Sequence, residues 1–253
     1  MTNEQEEYTT LFCEGDGSAH VDAYERPRVV FAQKERDVLD YIASQQQEKG
    51  VFYQNKQNVW TLTYYGSHCI PLLTIFSKHV VSTHFLGRLN KVLETVGLPL
   101  ATQHPITLDG FVGFWDAEGS SDNHPALSIT QKDKEVLDIM QQTFGGNVYQ
   151  TGNDRYRWHM WSLYGKEARL LVPEILSRSH CPAKAERLRL NFEGPTYNEL
   201  HHDKKLAAVR AYDTSHREKK RSYMKAYRAQ QKLVREYLRE HPEVVERYEK
   251  QTV

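Results

Sequence analysis

Two short segments of this chain carry paired acids in the same setting. Glu14-Gly15-Asp16-Gly17-Ser18 and Asp116-Ala117-Glu118-Gly119-Ser120 both read acid, small, acid, Gly, Ser. Each follows an aromatic-containing start, Leu11-Phe12-Cys13 in one and Gly113-Phe114-Trp115 in the other. An acid ahead of a glycine is common at helix ends, so either segment alone would read as structural. The repetition is the signal, with Asp16 and Glu118 lying 102 positions apart. Two carboxylates that meet repel each other unless a cation sits between them. Were these two carboxylates to meet, a divalent cation between them would relieve that repulsion.

The flanking sequence repeats in the same order. Val29-Val30-Phe31-Ala32-Gln33-Lys34 resembles Leu127-Ser128-Ile129-Thr130-Gln131-Lys132, and Asp37-Val38-Leu39-Asp40-Tyr41-Ile42 resembles Glu135-Val136-Leu137-Asp138-Ile139-Met140. The separation is too large for a solenoid repeat, so the chain reads as two pseudo-equivalent halves. Leu108, Phe111, Val112 and Trp115 form an apolar helical stripe that should end at Gly119, used as a flexible C-terminal residue. In the first half, strands are expected at 20–24 and 28–33, a helix around Val38 to Ile42, and a hairpin pairing 51–54 with 60–65. Helical patterning then runs from Ile70 through Val96. In the second half the strands fall at 126–131, 147–150 and 156–161, and the helices at 134–144 and 166–176. Each half thus reads αββαββα, an α+β fold class. The expected domains are 1–98, a linker at 99–106 stiffened by Pro99 and Pro105, 107–196, and a tail at 197–253. The segment between Glu118 and Gln131 is shorter than its counterpart, so its first hairpin, around Ser121 to Pro125, must be stubby.

Composition bounds the class. With 26% charged and 11% aromatic residues, the chain has the aromatics that a disordered polymer lacks. The net charge of zero hides an asymmetry, because Lys204 to Arg239 holds twelve Lys or Arg against three acids. That stretch carries about +9 and the remainder about −9. A helix from His216 to Arg239 interleaves Tyr223, Tyr227 and Tyr237 among the basic residues, and Glu243 to Lys250 suggests another after Pro242. Cys13, Cys69 and Cys181 are scattered without CxxC spacing, which argues against a disulfide framework or zinc site and fits a reduced, intracellular setting. The acidic, polar N-terminus has no basic start or apolar run, and no stretch approaches a membrane span.

The paired acidic segments resemble the signature of the LAGLIDADG homing endonucleases, single-chain type, with Thr9 to Gly17 as the first copy and Phe111 to Gly119 as the second. The resemblance covers roughly residues 8 to 195 and leaves the tail outside. It implies two signature helices packed side by side, with Gly15, Gly113 and Ala117 allowing close approach. Leu11 departs from the small residue usual there, and a Leu facing a Gly would have to interlock. It further implies a monomer that binds double-stranded DNA in a saddle and hydrolyses one phosphodiester on each strand with Mg²⁺, or another divalent cation such as Mn²⁺. Asp16 and Glu118 would be catalytic metal ligands, joined by Gly15 and Ala117. Gln33 and Gln131 would order the attacking water, and Lys184 would supply a basic group in the second half, with Lys78 or His84 doing so in the first. Glu14 and Asp116 are better read as helix-interface or N-terminal partners than as ligands.

The strands would lie along the major groove. Alternation makes His20, Asp22, Tyr24, Arg26 and Arg28 candidate base readers, with Gln54 and Lys56 from the next hairpin. In the second half the candidates are Asn153, Arg155, Arg157 and His159, an arginine on guanine being the most informative contact of this kind. Lys219, Lys220, Arg221, Lys225 and Arg228 of the tail would contact phosphates. Plainer readings stand beside these: Gln33 and Gln131 as solvated strand ends, Trp115, Trp158 and Trp161 as core, His201-His202 as surface, and the tail as a solvated helix. Two other functions fit the same scaffold. One is a maturase that assists splicing of its intron RNA, and the other is a regulator that binds DNA without cutting it. Such maturases often lose the acids, which this chain keeps.

Overall fold

The structure is a computed structural model in which residues 1–121, 126–153, 156–193 and 217–240 are described. One element order occurs twice. The first half runs α1 (Asn3–Asp16), β1 (Gly17–Val21), β2 (Pro27–Gln33), α2 (Arg36–Ser44), β3 (Val51–Gln54), β4 (Trp60–Tyr65), a 3-10 turn, α3 (Ile70–His79) and α4 (Thr83–Thr95). The second runs α5 (Leu108–Glu118), β5 (Gly119–Ser120), β6 (Ala126–Gln131), α6 (Lys134–Phe144), β7 (Asn147–Asn153), β8 (Tyr156–Tyr164), α7 (Gly165–Arg178) and α8 (Pro182–Glu193). Each half holds a four-stranded antiparallel sheet, ordered β1-β2-β4-β3 in one and β5-β6-β8-β7 in the other. A C-terminal helix (Arg217–Glu240) packs on α6.

α1 and α5 form the seam between the halves, and their ends explain why they start where they do. Thr2 caps α1 in a reciprocal pair with Gln5, and Thr107 caps α5 by accepting from the Gly110 amide at 3.1 Å. The Thr107 hydroxyl also donates to Glu7 of α1 at 2.7 Å, so the cap of one helix ties it to the other. Small residues set the spacing. A Cβ on Gly113 would stand 2.1 Å from the Tyr8 carbonyl oxygen, and one on Gly15 would stand 2.6 Å from the Ala117 Cβ. Leu11 does interlock with a glycine, since a Cβ on Gly110 would meet its Cγ at 3.1 Å. Gly113→Ala should therefore push the helices apart. A loss of roughly 1–3 kcal/mol is expected, read as a lower thermal midpoint of the whole chain.

Each sheet buries one face. Val29, Phe31, Leu62 and Tyr64 point inward in the first half, and Leu127, Ile129, Trp161 and Leu163 in the second, together with Val38, Leu39 and Ile42 of α2 and Val136, Leu137 and Met140 of α6. Cys13, Cys69 and Cys181 are buried free thiols. Among the described residues no helix is long and apolar enough to cross a membrane.

Several boundaries differ from the sequence reading, each for a local reason. β1 ends at Val21 because Asp22 turns the chain, its carboxylate accepting from the amides of Tyr24 at 2.8 Å and Arg26 at 3.1 Å. The helical run from Ile70 to Val96 breaks at Val80 to Ser82, where the Glu14 carboxylate takes the freed amides of Val81 and Ser82. β7 and β8 are longer than expected, and α8 is a helix the pattern missed, so each half closes with an additional helix. Gly119 is extended, with φ −68°. Its glycine serves space and not a left-handed turn, because a Cβ there would meet the Trp115 ring at 2.3 Å. The linker is clamped as well as stiffened: Asn90 exchanges hydrogen bonds with Ala101, and the His104 amide donates to Val80. β5 is two residues against five in β1. The tip of that hairpin, residues 122–125, lies outside the described residues, as do His201-His202 and residues 243–250.

Candidate active site at the helix seam

Asp16 and Glu118 are the last residues of α1 and α5, so the parallel seam delivers both carboxylates to one end of the helix pair. Their proximity shows in the packing, since a Cβ on Gly15 would lie 3.1 Å from the Glu118 Cγ. Burial, then the charge of Glu118, pushes the Asp16 carboxyl up to about 7, against the opposing pull of Lys184 and Gln33. Burial likewise raises Glu118, with Gln131 and Lys184 opposing.

The two glutamines stand at the inner ends of β2 and β6. Gln33 Nε2 donates to Asp16 at 2.7 Å and approaches the main-chain oxygens of Asp116 and Ala117 at 3.4 Å. Gln131 hydrogen-bonds Glu118. Both are thus drawn into the site and are not solvated strand ends. Lys184 enters from α8, and its Nζ donates to the Ala117 carbonyl at 2.5 Å and to that of Trp115 at 3.5 Å. Its ammonium therefore sits beside Asp16 and Gln33 as well as beside its own half's Glu118. Lys78 is elsewhere: it pairs with Glu6 at 3.6 Å, near the start of α1. His84 is exposed near the Gly15 side of the seam.

The first acid of each segment has a different task. Glu14 accepts from the amides of Val81 at 2.6 Å and Ser82 at 3.0 Å, at the start of α4. Asp116 accepts from Tyr8 Oη at 2.6 Å, Ser179 Oγ at 2.7 Å and the His180 amide at 2.7 Å, just before α8. Burial lifts the carboxyl of Glu14 to about 7 and raises that of Asp116, while these donors pull each back. Both acids lock the signature helices to the closing helices, in the partner role that their position suggested. Tyr8, Ser179 and His180 are site residues that sequence reasoning missed. Tyr8 sits one turn before Phe12 and reads as plain helix stripe, and the other two follow an α7 end that carries no glycine.

Could the site hold a divalent cation? Among the described residues, no three His, Cys, Asp or Glu side chains gather as a ligand group. The donor set is two raised carboxylates and the carbonyls of the last helical turns, all oxygen, and the Lys184 ammonium has already settled on one of those carbonyls. That set fits a hard cation such as Mg²⁺, which keeps several waters of its own.

No protein-family model and no curated protein matches the chain. Solved structures do. The K262A mutant of I-SmaMI superposes with a TM-score of 0.51 at 11% identity, covering 84% of this chain and 99% of that one. The LAGLIDADG homing endonuclease I-LtrWI bound to target DNA gives 0.47 at 10% identity, over 84% and 91%. I-DmoI in complex with DNA and Ca gives 0.49 at 15% identity, over 74% and 98%. The fold is that of the LAGLIDADG homing endonucleases.

On this scaffold each sheet has a second face turned away from the core, and in the second half that face is partly covered, with Ser128 and Ser162 buried and Ser162 beside the C-terminal helix. His20 and Arg28 lie on the outer face of the first sheet, alternating with the buried Ala19 and Val29. Arg28 stacks over Tyr65 at 4.9 Å and donates to its hydroxyl, while its buried Nε has no partner. Asp22, Tyr24 and Arg26 are not strand readers but the β1–β2 loop, where Asp22 pairs with Arg26 at 2.9 Å and Arg26 covers Tyr24. Gln54 is exposed at the end of β3, and Lys56 sits in the turn that Asn55 organises. In β8 the alternation runs one residue out of step with the sequence reading, which transfers every side chain to the other face. His159 shares the parity of Trp161 and Leu163 and bonds the Lys132 carbonyl, and Arg157 shares that parity. The outer face instead carries Trp158, Met160, Tyr164 and the buried Ser162, with Tyr149 from β7. Arg155 and the side chain of Asn153 lie outside the described residues.

The C-terminal helix docks through Val234, buried against Gly145, and through Gln230, which bonds the Gly146 carbonyl and Asn147 Oδ1. Further toward its N-terminus, Tyr223 and Tyr227 border a cavity of about 200 Å³ shared with Ser162 and Tyr164 of the outer face. Arg221, Lys225 and Arg228 are exposed on that stretch, whereas the side chains of Lys219 and Lys220 lie outside the described residues.

Proposed function

We propose that this protein is a monomeric, site-specific endonuclease that cuts both strands of a DNA duplex with a divalent cation. The observation that carries the reading is the convergence of Asp16 and Glu118, each bonded by its own glutamine and flanked by an outer sheet face. Asp16 with the Ala117 carbonyl, and Glu118 with the Gly15 carbonyl, would hold Mg²⁺ or Mn²⁺. A bound cation supplies an acidified water and offsets charge on the scissile phosphate. The remaining work belongs to the chain. Gln33 and Gln131 fix the carboxylates and can accept or donate to the attacking water. Lys184 faces the charge that builds on phosphate oxygens. Arg28, on the outer face of the first sheet beside Tyr65, would meet a guanine edge. The basic stretch of the C-terminal helix lies beside the second outer face and would neutralise phosphates, so affinity should fall steeply with salt.

The aromatic second face also suits a different reading. Trp158, Tyr149 and Tyr164 are exposed and uncharged, as a surface for stacking unpaired bases would be. A maturase on this scaffold would use them on intron RNA. The deciding experiment selects duplexes from a random library and incubates them with Mg²⁺ or EDTA. A staggered cut that needs the metal supports the nuclease. No selected duplex, together with tight binding of structured intron RNA, would replace it with the maturase.

A further inference from the structure

The first sheet turns three cross-strand rows away from the core, and their side chains sort by chemistry with distance from the helix seam. Ala32, Thr61 and Tyr53 stand side by side next to Gln33, the residue that bonds Asp16. Ser18, Val30, Thr63 and Val51 form the second row, and His20, Arg28 and Tyr65 the third. The first two rows hold no charged and no amide side chain. Val51 and Tyr53 are 55% and 62% exposed, and Val30, Ala32 and Thr61 are partly so, which leaves this apolar surface uncovered. Thr61 spends its hydroxyl proton within the sheet, on the Tyr53 carbonyl at 3.3 Å. Charge first appears at Arg28, held over the Tyr65 ring at 4.9 Å and bonded to its hydroxyl at 3.2 Å. Lys34 lies past the end of β2.

Base edges in the major groove call for particular partners. Guanine is met by Arg or Lys, adenine by Asn or Gln, and cytosine by Asp or Glu. None of these six types stands in the first two rows. Those rows offer methyl, isopropyl and ring surface, and the base-edge feature that such surface recognises is the thymine C5 methyl. Hydroxyls such as those of Ser18 and Tyr53 add little discrimination, because they suit donor and acceptor edges alike. The second half repeats the inner row as Thr130, Met160 and Tyr149, next to Gln131. It is again uncharged, with Tyr149 in the register position of Tyr53.

We propose that the base pairs nearest the two cuts are A·T pairs recognised through thymine methyl groups, and that in the first half-site a guanine lies further out, opposite Arg28. This rests on the nuclease reading above. Neighbouring rows are two residues apart along a strand, about 6.6 Å, which spans about two base pairs. Arg28 is two rows beyond Ala32, so the guanine falls about four base pairs outside the innermost thymine contact. The protein thus selects its target by methyl contact close to the chemistry and by charge-assisted hydrogen bonds at a distance from it.

The test is selection of duplexes by binding from a random library, with the recovered sequences aligned on the cuts that Mg²⁺ incubation produces. A·T pairs should stand nearest the cuts in both half-sites, with a guanine about four pairs further out in one of them. Arg28→Ala should lose that guanine preference, about tenfold in affinity, and keep the A·T block. Deoxyuridine in place of thymine removes the methyl and keeps every hydrogen-bonding group. Each methyl lost from a contact should weaken binding by about threefold. Val30→Arg, on the outer face, should bring a new guanine into the block. G·C pairs fixed nearest the cuts, or a deoxyuridine duplex bound as tightly as the thymine one, would overturn the proposal. A wild type that cuts no selected duplex would overturn the nuclease reading itself, and this inference with it.

Discussion

Asp16→Asn is expected to leave the duplex bound and one strand whole, with that strand's cutting reduced by about 10³-fold or more. Asparagine keeps the shape and an oxygen for Gln33, whose Nε2 lies 2.7 Å from the carboxylate. It removes the charge that would hold a cation beside the Ala117 carbonyl. Binding should not weaken, because a buried carboxylate facing phosphates is a repulsive group. Glu118→Gln should mirror the result on the other strand, and the double variant should bind without nicking. Separately labelled strands give the readout. If either single variant stops both strands equally, the acids act as one site and not as two. If both cut at the wild-type rate, the chemistry lies elsewhere.

The parts of this site that were legible in the sequence are those encoded by local pattern. The two acidic segments, the glutamines ending matched strands and the small residues of the helix seam all depend on residue type at fixed offsets. The structure places Asp16 with Gln33 and Glu118 with Gln131 for that reason. The groups that were not legible reach the site through long-range geometry. Glu14 and Asp116 read as partner acids, but the amides they take, 67 and 64 positions away, are set by where the closing helices begin. Lys184 is a candidate from the sequence, but its contact with the Ala117 carbonyl beside Asp16 depends on how α8 packs across the seam. The β8 readers were misassigned for a simple physical cause. A strand of alternating Arg, Trp, His, Met and Trp has large side chains on both faces, so pattern alone does not fix which parity faces the core. Trp161 decides it by filling the core and donating to the Gly145 carbonyl at 2.8 Å.

Without metal, the wild-type protein should lose stability as pH rises from about 4 to about 7, and Asp16→Asn should lose less of it. The sign follows from the direction of the shift. The ordinary Asp value is 3.8, and burial with the Glu118 charge lifts the folded value to about 7. Below the unfolded value both states hold the proton, and the carboxyl costs nothing extra. Between the two values the unfolded chain ionises while the folded site resists, so stability falls through that window. Above the folded value the penalty is complete, at roughly 4 kcal/mol for a shift of this size. Glu14, lifted to about 7 by burial, adds a slope in the same window that remains in the Asp16 variant. Thermal midpoints in EDTA across this range should therefore cross over, with the Asn variant more stable at pH 8 and no better than wild type at pH 4. Adding Mg²⁺ at pH 8 should raise the wild type by more than the variant, which keeps only the Glu118 site, because a ligand that binds only the folded, ionised site stabilises by mass action. A wild type whose midpoint is insensitive to both pH and metal would mean that Asp16 ionises freely in water, and the buried two-carboxylate site would have to be abandoned.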